Sequence, residues 1–109
     1  MDMVINRFEV WLVYLEPVRC SEISKTRPCI IISPDESNKY LNTFILAAMT
    51  TTSKHYPTRL DCVFKRKKGQ VALDQIRSID KVRLVKKLGI MGEMYTIKVS
   101  EVLVETFSY

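Results

Sequence analysis

The chain has 109 residues, 47% of them hydrophobic and 27% charged, which suits a single globular domain over residues 1–109 and excludes a disordered tail protein or a multidomain assembly. No apolar run approaches the roughly 20 residues of a membrane span and no signal-peptide pattern opens the chain, so the expectation is a cytoplasmic protein without a membrane partner. The net charge of +5 is unevenly spread: residues 54–87 carry eleven basic and three acidic side chains, while the flanking segments are slightly acidic. A basic segment of that density is the footprint expected for a polyanion such as nucleic acid.

Residues 8–15 are rich in β-formers with apolar side chains on both faces, as in a strand buried within a barrel. Residues 28–32 form a continuous apolar run, stopped by Ser33, Pro34 and Asp35, whose chemistry suits a turn. Residues 43–49 predict a third strand, and 58–64, where polar and apolar residues alternate, a fourth. Lys65, Arg66, Lys67, Lys68 and Gly69 read as a charged turn, 70–79 as a fifth strand, and 80–84 as a short sixth strand or a turn. The short connections require antiparallel neighbours, because a parallel pair needs a long crossover.

Beyond residue 92 the period changes. Tyr95, Val99, Val102, Leu103, Thr106 and Phe107 share a helical face, with Gly92 as N-cap and Glu93 at the positive end of the helix dipole. The expected fold is mainly β: a small curled antiparallel barrel of five to six strands with a C-terminal amphipathic helix.

Absences prune the chemistry. One histidine, His55, permits no histidine pair; Cys20, Cys29 and Cys62 show no C-x-x-C spacing; and no Gly-rich phosphate loop occurs. No metal site or cofactor is therefore expected, which leaves carboxylates, arginines and hydroxyls. Ser21, Glu22, Lys25, Thr26 and Arg27 precede the second strand, and Thr50, Thr51, Thr52 and Ser53 follow the third. If those strands pair antiparallel, the two groups meet at one end of the sheet. Taken alone, Arg27 also suits a surface salt bridge, and threonine is an ordinary strand and turn residue.

Over residues 7–88 the ordered motifs tell more. These are Phe8-Glu9-Val10-Trp11-Leu12-Val13 with Glu16-Pro17, Ser21-Glu22, Lys25-Thr26-Arg27-Pro28, Ser33-Pro34, Thr50-Thr51-Thr52-Ser53-Lys54 with Tyr56-Pro57, and the run from Val71 to Asp80. In order and spacing the chain resembles the MazF/PemK/Kid family of toxin ribonucleases. The resemblance implies an SH3-like or CcdB-like barrel that forms a homodimer. It also implies metal-independent, sequence-specific cleavage of single-stranded mRNA by 2′-OH attack, giving 2′,3′-cyclic phosphate and 5′-OH ends, and neutralisation by a MazE-like antitoxin with a flexible acidic tail.

The same resemblance assigns catalysis to Arg27, Thr50 and Glu22, and an RNA path to Thr51, Ser53, Lys54, Tyr56, Asp74, Gln75, Arg77 and Ser78. Ala72 stands where one plasmid-encoded branch has a second catalytic arginine, so the Arg27/Thr50 arrangement is favoured and Asp74 is left to structure or binding. The chemistry of the residues agrees. Arg27 presents a fork of donors to phosphate and stays protonated, Glu22 suits a proton acceptor, and Thr50 suits a phosphate donor. Two other readings fit such a fold: a gyrase poison like CcdB, acting through its terminal helix, and a non-catalytic RNA-binding relative.

Overall fold

A computed structural model describes residues 4–15 and 26–109. Its elements run β1 (Glu9–Tyr14), β2 (Thr26–Ile31), α1 (Asp35–Tyr40), β3 (Thr43–Thr50), β4 (Arg59–Phe64), β5 (Lys67–Ala72), β6 (Arg77–Asp80), β7 (Leu84–Ile90) and α2 (Glu93–Phe107). Short 3₁₀ turns at Leu73–Gln75 and Lys81–Arg83 flank β6. The strands form one curled sheet in the order β4-β5-β3-β2-β1-β7, with β6 also paired to β3 and every pairing antiparallel. The architecture is the expected one, mainly β with a curled antiparallel sheet and a C-terminal helix.

β3 organises the sheet. One edge pairs with β2 through Cys29↔Ala48 to Ile31↔Leu46, and the other is shared, β6 taking Thr43 to Leu46 and β5 taking Met49 and Thr50. The expected long fifth strand is therefore two strands joined by a corner at Leu73–Gln75. Leu73 is buried there, and Ile76 packs against the core behind it. An unbroken β run read along the chain carries no sign that it must change partners' positions along β3.

Both faces of the sheet are covered, as the two-sided apolar pattern of β1 and β2 requires. Val10, Ile30, Ala47, Met49, Val71 and Val99 belong to one core cluster, against which Tyr95, Val102 and Leu103 of α2 pack. Trp11, Val13, Cys29, Ile31, Phe44, Leu46 and Ile79 form the other. Burying each large aliphatic side chain stabilises the fold by about 1.5–3 kcal/mol before entropy is counted. Glu9 is also buried: its carboxylate accepts hydrogen bonds from the Trp11 indole at 3.0 Å and the Asn6 amide at 3.1 Å, and it pairs with Lys87 at 3.0 Å. Burial pushes this carboxyl up, but those partners together hold it below the ordinary value.

Local differences from the expected elements have physical causes. Ser33, Pro34 and Asp35 do not simply turn the chain: Pro34 is the N-cap of the six-residue α1. The buried Ser33 and Asn38 hold it, with Ser33 Oγ to Asn38 Oδ1 at 2.5 Å and Asn38 Nδ2 donating to the Ser33 carbonyl at 3.0 Å. The charged turn after β4 is shorter than expected, since only Lys65 and Arg66 leave the ladder, both with left-handed φ (50° and 67°). Gly69 lies inside β5. A side chain there would put Cβ 2.7 Å from the Thr50 carbonyl oxygen, so this glycine serves the close approach of β5 to β3 and not a turn. β7 extends the segment after residue 84 into a seventh strand. At Gly89 it receives the tip of the β4–β5 hairpin, where an added Cβ would meet Phe64 at 3.1 Å.

α2 starts as expected, with Gly92 at the N-cap and Glu93 in its first turn. Among the described residues, no helix is long and apolar enough to cross a membrane.

Candidate active site

The β2–β3 register builds the site. From the pair Cys29↔Ala48, Arg27 stands two residues earlier and Thr50 two residues later, so antiparallel pairing brings them to the same end of the sheet. Alternation puts both on the face occupied by Cys29, Ile31 and Leu46. On its other side Arg27 pairs with Val13 of β1. Arg27 is exposed and Thr50 half-buried.

Thr50 is oriented locally. Its Oγ1 accepts the Thr52 amide proton at 3.1 Å, which leaves the hydroxyl proton available to an incoming oxygen.

A second guanidinium joins this face. Arg77 pairs with Leu46 in the β3–β6 register, and its Nη2 donates to the Leu15 carbonyl at 2.7 Å. Burial pushes the Cys29 thiol up to about 12, while the neighbouring charges of Arg77 and Arg27 pull it back. Both cations therefore act on one buried atom beneath the site. Among the described residues no carboxylate pairs with either arginine, so their charge remains directed at solvent.

The other named residues divide. Thr51, Ser53, Lys54 and Tyr56 follow β3 in an exposed loop, Tyr56 being 52% exposed. Gln75 is exposed at the end of the 3₁₀ corner. Ser78 pairs with Ile45 and by alternation faces away from Arg27 and Arg77. Glu22 lies outside the described residues.

Asp74 is already engaged: Arg59 Nε donates to Oδ1 at 2.6 Å and its Nη2 to Oδ2 at 3.3 Å. That hydrogen-bonded cation holds the Asp74 carboxyl below its usual range, and the carboxylate raises Arg59 in turn. The Arg59 guanidinium also lies 5.8 Å from the centre of the Tyr56 ring. The three residues form a braced corner beside the site.

Gln70 is a residue that motif reading missed. Its buried side-chain amide donates to the Lys54 carbonyl at 3.0 Å and to Asp61 Oδ1 at 2.8 Å, and its oxygen accepts the Lys54 amide at 3.0 Å. It thus ties the loop after β3 to β4. The available signal was a lone amide beside the apolar Val71-Ala72-Leu73 run, where a polar side chain needs partners. Among the described residues, no group of three His, Cys, Asp or Glu side chains stands together as metal ligands.

Comparison with known proteins shows the family of the chain. Residues 6–107 match the family model described as PemK-like, MazF-like toxin of type II toxin-antitoxin system. The chain is 38% identical over 106 residues to an endoribonuclease MazF of Staphylococcus epidermidis, covering 92% of this chain and 88% of that protein. Among solved structures, MazF of Deinococcus radiodurans superposes with a TM-score of 0.81 at 21% identity, covering 99% of this chain and 100% of that one. A mycobacterial endoribonuclease in complex with its cognate antitoxin superposes at 0.76 with 20% identity, over 94% of this chain and 91% of that one. These two likenesses speak to the fold. The chain belongs to the PemK-like, MazF-like family of type II toxins.

Proposed function

We propose that this toxin cleaves single-stranded mRNA at a short sequence, at the end of the sheet where Arg27 and Thr50 meet. It is an endoribonuclease of the MazF kind. The observation that carries the finer reading is the convergence of an exposed guanidinium, unpaired by any described carboxylate, with a hydroxyl whose proton is free to donate.

The reaction is an in-line transesterification. The ribose 2′-OH loses its proton, its oxygen bonds to the adjacent phosphorus, and the bond to the 5′ oxygen breaks. The products are a 2′,3′-cyclic phosphate and a 5′ oxygen that leaves with a proton as 5′-OH. Arg27 donates to the non-bridging oxygens as charge builds on them, and its planar fork matches their spacing. The Thr50 hydroxyl donates to the same phosphate and fixes its position. Glu22 is the proposed acceptor of the 2′-OH proton. The chemistry calls for no metal. Arg77, with Thr51, Ser53, Lys54, Tyr56 and Gln75, is assigned to the RNA, Asp74 serves by holding Arg59, and Ser78, on the opposite face of β6, is left without an RNA role.

The cognate antitoxin follows from membership of a toxin–antitoxin family. We assign it a flexible acidic tail that lies over the arginine face and speeds association through opposite charge. The toxin is proposed to act as a homodimer in the cytoplasm.

Incubation of the purified protein with a long RNA in EDTA, followed by mapping of the ends, tests the reading. Cuts at a recurring motif with 5′-OH ends are expected, and an Arg27→Ala variant with an unchanged circular dichroism spectrum should make them at least about a hundredfold more slowly. RNA left intact across many sequences would refute it.

A further inference from the structure

On the far side of β3 from Arg27 the molecule has a second feature, of which the reading above uses only Thr51 and Ser53. A cavity of about 570 Å³ opens between the loop after β3, the β4–β5 hairpin and the first two turns of α2. That volume is within the usual range for ligand clefts, about 300–1,000 Å³. Thr51 and Ser53 contribute hydroxyls, Lys68 and Lys98 contribute ammonium groups, and Met94 and Tyr95 form an apolar wall. Asp61 also lines it, but one of its carboxylate oxygens already accepts from Gln70 at 2.8 Å. The ionisable lining therefore carries two cations against one engaged anion.

The cavity adjoins the reaction centre. Thr51 follows Thr50 directly, and Gly69 in the cavity wall approaches the Thr50 carbonyl so closely that an added Cβ would lie at 2.7 Å. A strand held at Arg27 and Thr50 that passes over the end of β3 meets this opening next. Two ammoniums and two hydroxyls suit a phosphodiester, and an apolar wall suits a base.

We infer that the cavity is a subsite for a flanking nucleotide of the same RNA strand, with Lys68 of β5 and Lys98 of α2 sharing its phosphate. The terminal helix, whose other exposed charges in its first three turns are acidic Glu93 and Glu101, thus contributes one cation to the substrate path. The inference rests on the RNA-cleavage reading.

Steady-state cleavage in EDTA tests it, using an RNA with several nucleotides on each side of the mapped cut and a range of salt concentrations. In single strands one phosphate contact contributes about 0.7 to the slope of log affinity against log salt. Lys68→Ala/Lys98→Ala should therefore raise KM about fourfold at 0.15 M salt and flatten the slope by about 0.7. Lys68→Arg/Lys98→Arg should keep the slope, and Lys39→Ala, which removes an exposed charge on α1, should behave as wild type. Trimming the RNA from one end only should raise the wild-type KM to that of the double alanine variant. A slope in the alanine variant equal to that of Lys39→Ala overturns the subsite while the cleavage reading stands. So does a variant altered only in its inhibition by an acidic antitoxin peptide. Wild-type protein that leaves the RNA uncut fails the cleavage reading itself.

Discussion

Arg27 and Arg59 begin as equivalent letters beside strands, yet the fold gives them opposite fates. At the Arg59 corner a carboxylate closes the guanidinium fork and a tyrosine ring covers it, with only 8% of the arginine side chain exposed. At the Arg27 corner the guanidinium faces solvent, with Thr50 beside it and Arg77 on the same face. A cation already satisfied by Asp74 has little left to offer a phosphate. Charge density along a chain therefore does not say which cations are open to a polyanion; the partner each cation finds in the fold does.

The sharpest way to break this contrast is to exchange the roles. Arg27→Ala should lower kcat by about 10²–10³, the usual cost of losing one preorganised donor to a developing oxyanion. Arg27→Lys should recover only part of that, since a point charge lacks the fork. Single-turnover cleavage of a defined RNA measures both, and a lysine variant as active as wild type would show that charge alone suffices.

The brace behind the site comes next. Gln70→Ala removes a buried amide that serves two backbone groups of Lys54 and the Asp61 carboxylate, and should cost about 1–3 kcal/mol of stability. Urea denaturation measures this, and an unchanged midpoint would show that the loop after β3 is held by other means.

A smaller effect is expected at the closed corner. Arg59→Ala should change cleavage by less than about fivefold and should alter the pH dependence of stability instead. Asp74 has a folded pKa lowered from its ordinary 3.8, chiefly by the Arg59 hydrogen bond. Its contribution is thus complete above 3.8 and is lost as the pH falls through the lower folded value. The difference in Tm between wild type and Arg59→Ala should be constant from neutral pH down to about 4 and then shrink on further acidification. A gap that widens in acid would reverse the assignment.

The smallest response belongs to Cys29. With its thiol pushed up to about 12 by burial, it should resist alkylation at pH 8 until the protein unfolds, as peptide mapping by mass spectrometry would show. Rapid native labelling would mean that the arginine face opens more readily than its packing suggests.

The same contrast marks how far sequence reading reaches. Two-sided apolar runs located β1 and β2, the alternation in 58–64 located β4, and the spacing from Tyr95 to Phe107 located α2. The antiparallel argument also anticipated the meeting of Arg27 with Thr50, because strand direction and short connections leave few alternatives. The six residues of α1 were illegible: Asp-Glu-Ser-Asn-Lys-Tyr has no apolar period, and the helix depends on the Ser33–Asn38 pair. The corner at Leu73–Gln75 was hidden because residues on either side of it are equally β-forming. Gly69 misled in an instructive way, since its lack of a side chain answers a contact with Thr50 that is distant in sequence.

By itself, then, the sequence determined what nearest-neighbour chemistry controls: the strands and terminal helix, their antiparallel order, the end of the sheet where arginine and hydroxyl meet, and the motifs of the family. Tertiary structure alone decided which charges are spent and which remain. Arg59 against Asp74, Lys87 against Glu9 and Gln70 against Lys54 are contacts between segments 15 to 78 residues apart, and Lys68 and Lys98 line one cavity. No local pattern encodes such pairs, because they exist only once burial of the two core faces has curled the sheet and brought its distant edges together.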